Sequence, residues 1–181
     1  MRLFFALLPE PMLSRRIADW RDAYLTAQGR PVPVENLHST LAFLGEVSPH
    51  RLEGLCDNVD HLLGSAHLPG GSLKLDQVGY WPKPGIFWLG PTTWSSALER
   101  LSAHLRGCAG AAGAMSRQQR FRPHITLFRG CRQPPPAPAS PPGFDFPYED
   151  ISLLQSRSTR HGVQYEEVAN WPLAPADSHA D

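Results

Sequence analysis

Two short stretches hold the residues able to do chemistry. His38 and Thr40 stand two apart in Asn36-Leu37-His38-Ser39-Thr40-Leu41-Ala42-Phe43-Leu44-Gly45. His124 and Thr126 repeat the spacing in Phe121-Arg122-Pro123-His124-Ile125-Thr126-Leu127-Phe128-Arg129. An imidazole with an ordinary pKa of about 6.5 has both protonation states available near neutrality. Two of them on opposite sides of one phosphate can divide the work. One activates the attacking nucleophile and the other protonates the leaving oxygen. A threonine hydroxyl one strand step further can donate to a non-bridging oxygen and stabilise the charge that develops there. The other histidines (50, 61, 67, 104, 161 and 179) lack a hydroxyl two residues on. No Cys/His zinc spacing or His/Asp/Glu cluster at ligand spacing occurs, so neither a metal nor a cofactor is expected.

Both stretches have the pattern of half-buried strands. Pro123 pushes Arg122 towards extended backbone. Ile125 and Leu127 alternate with His124 and Thr126, and residues two apart in a strand share a face. By the same rule Leu37, Leu41 and Phe43 belong to the face opposite His38 and Thr40, which is expected to be the core. The two histidines lie 86 residues apart. This predicts two similar halves, with the pairing of their motifs across a cleft as a hypothesis.

Strict alternation puts Phe128 on the His124 face and Arg129 on the other. Phe128 either offers its ring to a bound planar group or packs as cleft wall. Arg129 joins the His124 face only if a bulge or the strand end re-aims it, and is otherwise a solvated arginine. Arg117, Arg120, Arg122, Arg129 and Arg132 gather around this motif. Arginine suits bidentate phosphate contacts, and a solvated basic face is the equal alternative. Trp81, Trp88 and Trp94 are expected in the core or at the rim.

The supporting elements follow from periodicity. Residues 2–8 predict a buried strand and residues 10–28 a helix, with Pro11 in its first turn and Leu13, Ile17, Trp20 and Tyr24 at helical spacing. Ser48-Pro49 caps a second amphipathic helix that runs to Gly64. Strands are expected at 73–80 and 86–89, with a turn at 81–85 between them. Thr92 or Thr93 is the expected cap of a third helix carrying Trp94, Leu98, Leu101 and Leu105. Residues 107–113 are expected to form a loop. Residues 133–142 hold six prolines and predict an exposed connection with polyproline II character. Strands at 151–157 and 163–171 close the chain, and the tail from Pro172 is expected to fray. The order predicts an α+β fold, with helices on the outer faces of antiparallel-rich sheets.

Composition narrows the function classes. With 17 basic and 17 acidic residues, no global basic field draws in nucleic acid. Three scattered cysteines fit a reducing cytoplasm. The apolar start is too short for a secretory leader and is interrupted by Pro9-Glu10-Pro11. No stretch is long enough to span a membrane. No GxGxxG, Walker A, GxSxG or HExxH pattern is present.

The double motif resembles the two-histidine phosphoesterase superfamily. Within it, the chain is similar to the RNA 2′,3′-cyclic phosphodiesterases, LigT-like proteins formerly called 2′-5′ RNA ligases. Besides the motifs, the opening strand Arg2-Leu3-Phe4-Phe5-Ala6-Leu7 and the closing segments Leu153-Leu154-Gln155-Ser156-Arg157 and Tyr165-Glu166-Glu167-Val168-Ala169-Asn170-Trp171 carry the likeness. The resemblance implies one bilobal, pseudo-twofold domain over 1–181, with 172–181 a flexible tail and both motifs lining a central cleft. It implies metal-free hydrolysis of an RNA terminal 2′,3′-cyclic phosphate to a 2′-phosphomonoester. His38 would be the proton donor to the leaving 3′ oxygen and His124 the proton acceptor from water. Thr40 and Thr126 would hold the phosphate, with Arg129 near it. The expected partner is RNA with a cyclic phosphate end or a nucleotide cyclic phosphate, and the protein is expected to be a cytoplasmic monomer. Activity on a 2′-5′ linkage and non-catalytic RNA-end binding are the alternatives. Two departures stand out: Ser39, where the family more often has an apolar residue, and the length of the proline-rich stretch.

Overall fold

The computed structural model describes residues 1–114 and 120–178. Arg117 and His179 therefore fall outside the described residues. In chain order the elements are β1 (Arg2–Leu7), α1 (Pro11–Tyr24), β2 (Arg30–Pro31), one 3₁₀ turn (Val34–Asn36), β3 (Ser39–Glu46), α2 (Pro49–Ser65), β4 (Gly71–Leu75), β5 (Gln77–Trp81), β6 (Ile86–Gly90), α3 (Ser96–Ala111), β7 (Ile125–Arg129), β8 (Phe144–Tyr148), β9 (Asp150–Thr159) and β10 (Gly162–Pro172).

Eight strands form one sheet in the order β10-β9-β1-β3-β7-β6-β5, with β2 also paired to β7. All of its pairs are antiparallel. The sheet divides into two groups of four strands, and the motif strands β3 and β7 are the inner members. They meet at a single residue pair, Ser39 with Ile125. Beyond that pair, β3 continues in strand while residues 120–124 leave the sheet, and the gap between them opens as a cleft.

The main core lies on one sheet face. Leu3, Phe5 and Leu7 of β1 alternate into it and join apolar residues of all three helices, including Ile17, Leu55, Val59, Leu101 and Leu105. Burial of each such side chain is worth about 1.5–3 kcal/mol. Ser102 ties α3 to β3 by donating its hydroxyl to the Leu41 carbonyl at 2.6 Å. On the opposite face, Phe4, Ala6 and Leu154 form a small cluster with Tyr165 against it.

Several elements depart from expectation. Helix α1 stops at Tyr24, because the Tyr24 carbonyl accepts from Ala139 N at 3.0 Å and Leu25 turns extended. Helix α3 is capped by Ser95, whose hydroxyl accepts from Leu98 N at 3.2 Å. Thr92 is instead engaged by Asp76, through its backbone N–H at 2.8 Å and its hydroxyl at 2.9 Å. The same helix runs on through Gly107 and Gly110 to Ala111, since Cys108 and Ala109 are buried there. The expected strand over 73–80 is two strands in different sheets, broken at Asp76. Strand β8, unexpected from the sequence, pairs with β4 and buries Phe144, Phe146 and Tyr148.

The proline-rich segment is the exposed, irregular connection expected, with no buried residue over 133–142, and it is tethered to α1 at its end. Trp20 Nε1 donates to the Ser140 carbonyl at 3.2 Å, and Pro141, Gly143 and Phe144 face Trp20 and Tyr24. After β10 the chain stays tied rather than fraying at Pro172. Leu173 N donates to Glu149 O at 2.8 Å and Ala174 N to Leu68 O at 3.1 Å.

Candidate active site

The single Ser39–Ile125 pair builds the site. Both side chains point into the core, Ser39 at 1% and Ile125 at 0% exposure. Their sequence neighbours therefore project to the other face. Continuing the antiparallel register one residue each way sets position 38 beside 126 and position 40 beside 124. His38, Thr40, His124 and Thr126 thus surround one point of the sheet, and all four line the cleft. The cleft holds about 660 Å³, within the range of nucleotide-sized sites.

Both imidazoles are oriented in the same way. His38 Nδ1 lies 2.7 Å from the Asn36 carbonyl, and His124 Nδ1 lies 2.8 Å from the Arg122 carbonyl. A carbonyl can only accept, so each Nδ1 carries its proton and donates. In the neutral ring the lone pair is then on Nε2. His38 Nε2 lies 3.0 Å from Thr40 Oγ1. Asn36 is itself anchored: its Nδ2 donates to the Val163 carbonyl at 2.9 Å, linking the first motif to the β9–β10 hairpin.

Aromatic rings wall both histidines. Phe4 and Tyr165 lie 5.1 and 5.0 Å from the His38 ring centre. Trp81 and Trp88 lie 4.6 and 6.4 Å from that of His124. The His38 pKa is lowered to about 4, chiefly by burial, with the Asn36 carbonyl opposing this and the charges of Arg129 and the neighbouring His124 adding to it. His124 is lowered as well, chiefly by burial and then by Arg129, while the Arg122 carbonyl opposes this. The empty site therefore favours neutral imidazoles.

β-Bulges decide which neighbours join the site. In the β6–β7 pairing, Phe87 faces Phe128 and Trp88 faces Thr126, so Leu127 is the extra residue. The bulge turns Phe128 away from His124. Phe128 is 7% exposed, stacks on Phe87 with ring centres 6.1 Å apart, and lies under the Arg21 guanidinium at 5.7 Å. The expectation that Phe128 shares the His124 face is corrected accordingly: it is a core residue and does not line the cleft. The same bulge brings Arg129 onto the cleft wall. In the β1–β3 pairing, Phe5 faces Ala42 and Ala6 faces Thr40, so Leu41 is the extra residue. This bulge puts Phe43 on the cleft side, 57% exposed, where alternation had sent it to the core. Phe43 is one residue that the sequence reasoning missed at this site. Its only signal was position in the motif, because bulges leave no reliable mark in a short apolar run.

The chain is similar to known proteins in sequence and in fold. A family model described as LigT like Phosphoesterase matches residues 7–88. The chain is 35% identical over 175 residues to the RNA 2′,3′-cyclic phosphodiesterase of Escherichia coli (strain K12), covering 95% of this chain and 96% of the relative. It is 30% identical over 190 residues to the protein of that name from Thermus thermophilus, covering 96% and 90%. Among solved structures, E. coli LigT complexed with 3′-AMP is similar with a TM-score of 0.84 at 34% identity, over 95% of this chain and 97% of that one. With its paired histidine motifs on this antiparallel sheet, the chain belongs to the LigT-like phosphoesterase family.

Proposed function

We propose that the protein hydrolyses the 2′,3′-cyclic phosphate at an RNA end to a 2′-phosphomonoester. The observation that carries this is the set of two imidazoles and two hydroxyls around one strand pair, each imidazole holding its Nδ1 proton on a carbonyl. The shared name of the relatives supports the substrate class. His124, neutral with its lone pair on Nε2, accepts a proton from water as the water oxygen bonds to phosphorus. The bond from phosphorus to the 3′ oxygen breaks, and His38 as imidazolium gives that oxygen its Nε2 proton. Thr40 and Thr126 hold non-bridging oxygens, and Arg129 offsets the phosphate charge. Burial disfavours the imidazolium in the empty site, and the anionic substrate restores it. Proton transfer supplies both activation and departure, so the step runs without a metal ion.

A cyclic mononucleotide is the second candidate substrate, favoured by the size of the cleft. We assign the whole chain to one bilobal working unit, active as a monomer in the cytoplasm. Strands from both chain ends share one half of the sheet, which supports the single unit. Among the described residues, no helix is long and apolar enough to cross a membrane.

The test is incubation with an RNA oligonucleotide ending in a 2′,3′-cyclic phosphate, with EDTA present. The expected product is an end phosphate resistant to a 3′-specific phosphatase. A phosphatase-sensitive 3′ end, or activity that returns only with added metal, overturns the proposed step.

A further inference from the structure

Among the described residues, six cationic side chains line the cleft, Arg2, Lys83, Arg106, Arg120, Arg122 and Arg129, and no Asp or Glu does. The chain as a whole carries equal numbers of basic and acidic residues, so this is a strong local separation of charge. Among the described residues, none of the six donates a side-chain hydrogen bond or joins an ion pair. Elsewhere Arg21 and Arg157 pair with Asp22 and Glu166 at 2.9 and 2.8 Å. A cyclic phosphate has one negative charge, which Arg129 beside the histidines already meets. The remaining cations come from β1, α3, the turn after β5 and the segment before His124, and they extend along the gap between β3 and residues 120–124. Phe43 stands in the same cleft, tilted against Phe4 at 6.1 Å between ring centres, yet more than half its surface is exposed and open to a stacking base.

We infer that the cleft is a track for several consecutive nucleotides of single-stranded RNA, with upstream phosphates on Arg2, Lys83, Arg106 and Arg120 and a base on Phe43. Unpaired cations beside an exposed aromatic are what a single strand requires, since its backbone needs charge and its bases need stacking surfaces. The inference rests on the proposed hydrolysis of RNA cyclic ends and names which part of the RNA the protein holds.

The experiment compares kcat/KM for an eight-nucleotide RNA ending in a 2′,3′-cyclic phosphate with that for a 2′,3′-cyclic mononucleotide, across a salt series. The octamer is expected to be better by roughly a hundredfold at low salt, with a log–log salt slope steeper by about 3, as for four further phosphate contacts. In an R106Q/R120Q variant the octamer-to-mononucleotide ratio falls roughly tenfold, and in F43A at least about fivefold. Equal kcat/KM for the two substrates, or a ratio unchanged in R106Q/R120Q, overturns the track. A fluorescent octamer ending in a 2′-phosphate measures binding independently of turnover. Tight, salt-sensitive binding without hydrolysis of either substrate sustains the track and sinks the hydrolytic step. Weak or salt-insensitive binding sinks the track even if hydrolysis proceeds. A nucleoside triphosphate competing as well as the octamer assigns the charge to a compact polyphosphate site instead.

Discussion

Each imidazole faces the cleft through Nε2 because a backbone carbonyl two residues upstream holds Nδ1. That fixes the tautomer on both sides of the site and leaves the reacting nitrogen to the substrate. Removing either ring should cost roughly 10²–10⁴ in kcat while the circular dichroism spectrum is unchanged. A His38→Ala or His124→Ala protein with near-normal turnover contradicts the assigned role of that residue. The pH dependence carries a sign. Burial and Arg129 lower both histidines, His38 to about 4. The kcat/KM profile, which reports the free enzyme, should therefore peak between about pH 4 and 6.5. Bound phosphate favours the imidazolium, so the kcat profile should lie at higher pH. A kcat/KM maximum above about pH 7.5 contradicts these environments, provided that chemistry limits the rate. The His-x-Thr pairs themselves were legible in the sequence, because two copies on strand-like segments exceed what isolated histidines provide. The pKa environments were not, since they arise from walls contributed by Phe4, Tyr165, Trp81 and Trp88, which are distant in sequence.

At the scale of elements, a period of two described the strands only until a bulge intervened. Alternation placed His124 with Thr126 correctly and then failed one step later, where the extra Leu127 sends Phe128 inward and Arg129 outward. The extra Leu41 does the same for Phe43. Helix α3 continued through its glycines because packing against α2 and β3 outweighs their propensity cost of about 1 kcal/mol each. Strand β8 did have a signal, the alternation of Phe144, Phe146 and Tyr148, with Pro147 obscuring it. Two substitutions test how tightly the elements hold the site. A Cβ at Gly79 would lie 2.1 Å from the Trp88 ring, which stands against His124. Gly79→Ala should lower stability by about 1–3 kcal/mol and reduce kcat/KM as well. Unchanged thermal unfolding and rate would show that Trp88 is not held as described. Ser39 has a buried hydroxyl with no partner among the described residues. Ser39→Ala should raise stability by about 1 kcal/mol in denaturant melts, and a comparable loss contradicts the unpaired hydroxyl.

On the whole-molecule scale, two four-stranded groups touch at one residue pair, and the chemistry sits on that contact. Each half contributes one imidazole and one hydroxyl, and the antiparallel register at Ser39–Ile125 interleaves them. The α+β class was readable from element order, and the repeated motif suggested two similar halves, with their meeting across a cleft only a hypothesis. Their union into one eight-stranded sheet was not readable, because a single pair leaves no periodic trace. Nearly symmetric halves still do unequal work in the proposed hydrolysis: His38 protonates a leaving oxygen and His124 deprotonates water. The most direct test replaces the 3′-bridging oxygen of the cyclic phosphate with sulfur. A thiolate leaves without needing a proton, so only the loss of the general acid should be masked. The predicted result is that His38→Ala recovers most of the wild-type rate on the sulfur substrate while His124→Ala stays impaired. Equal impairment of both variants, or rescue of His124→Ala alone, would contradict this division of labour.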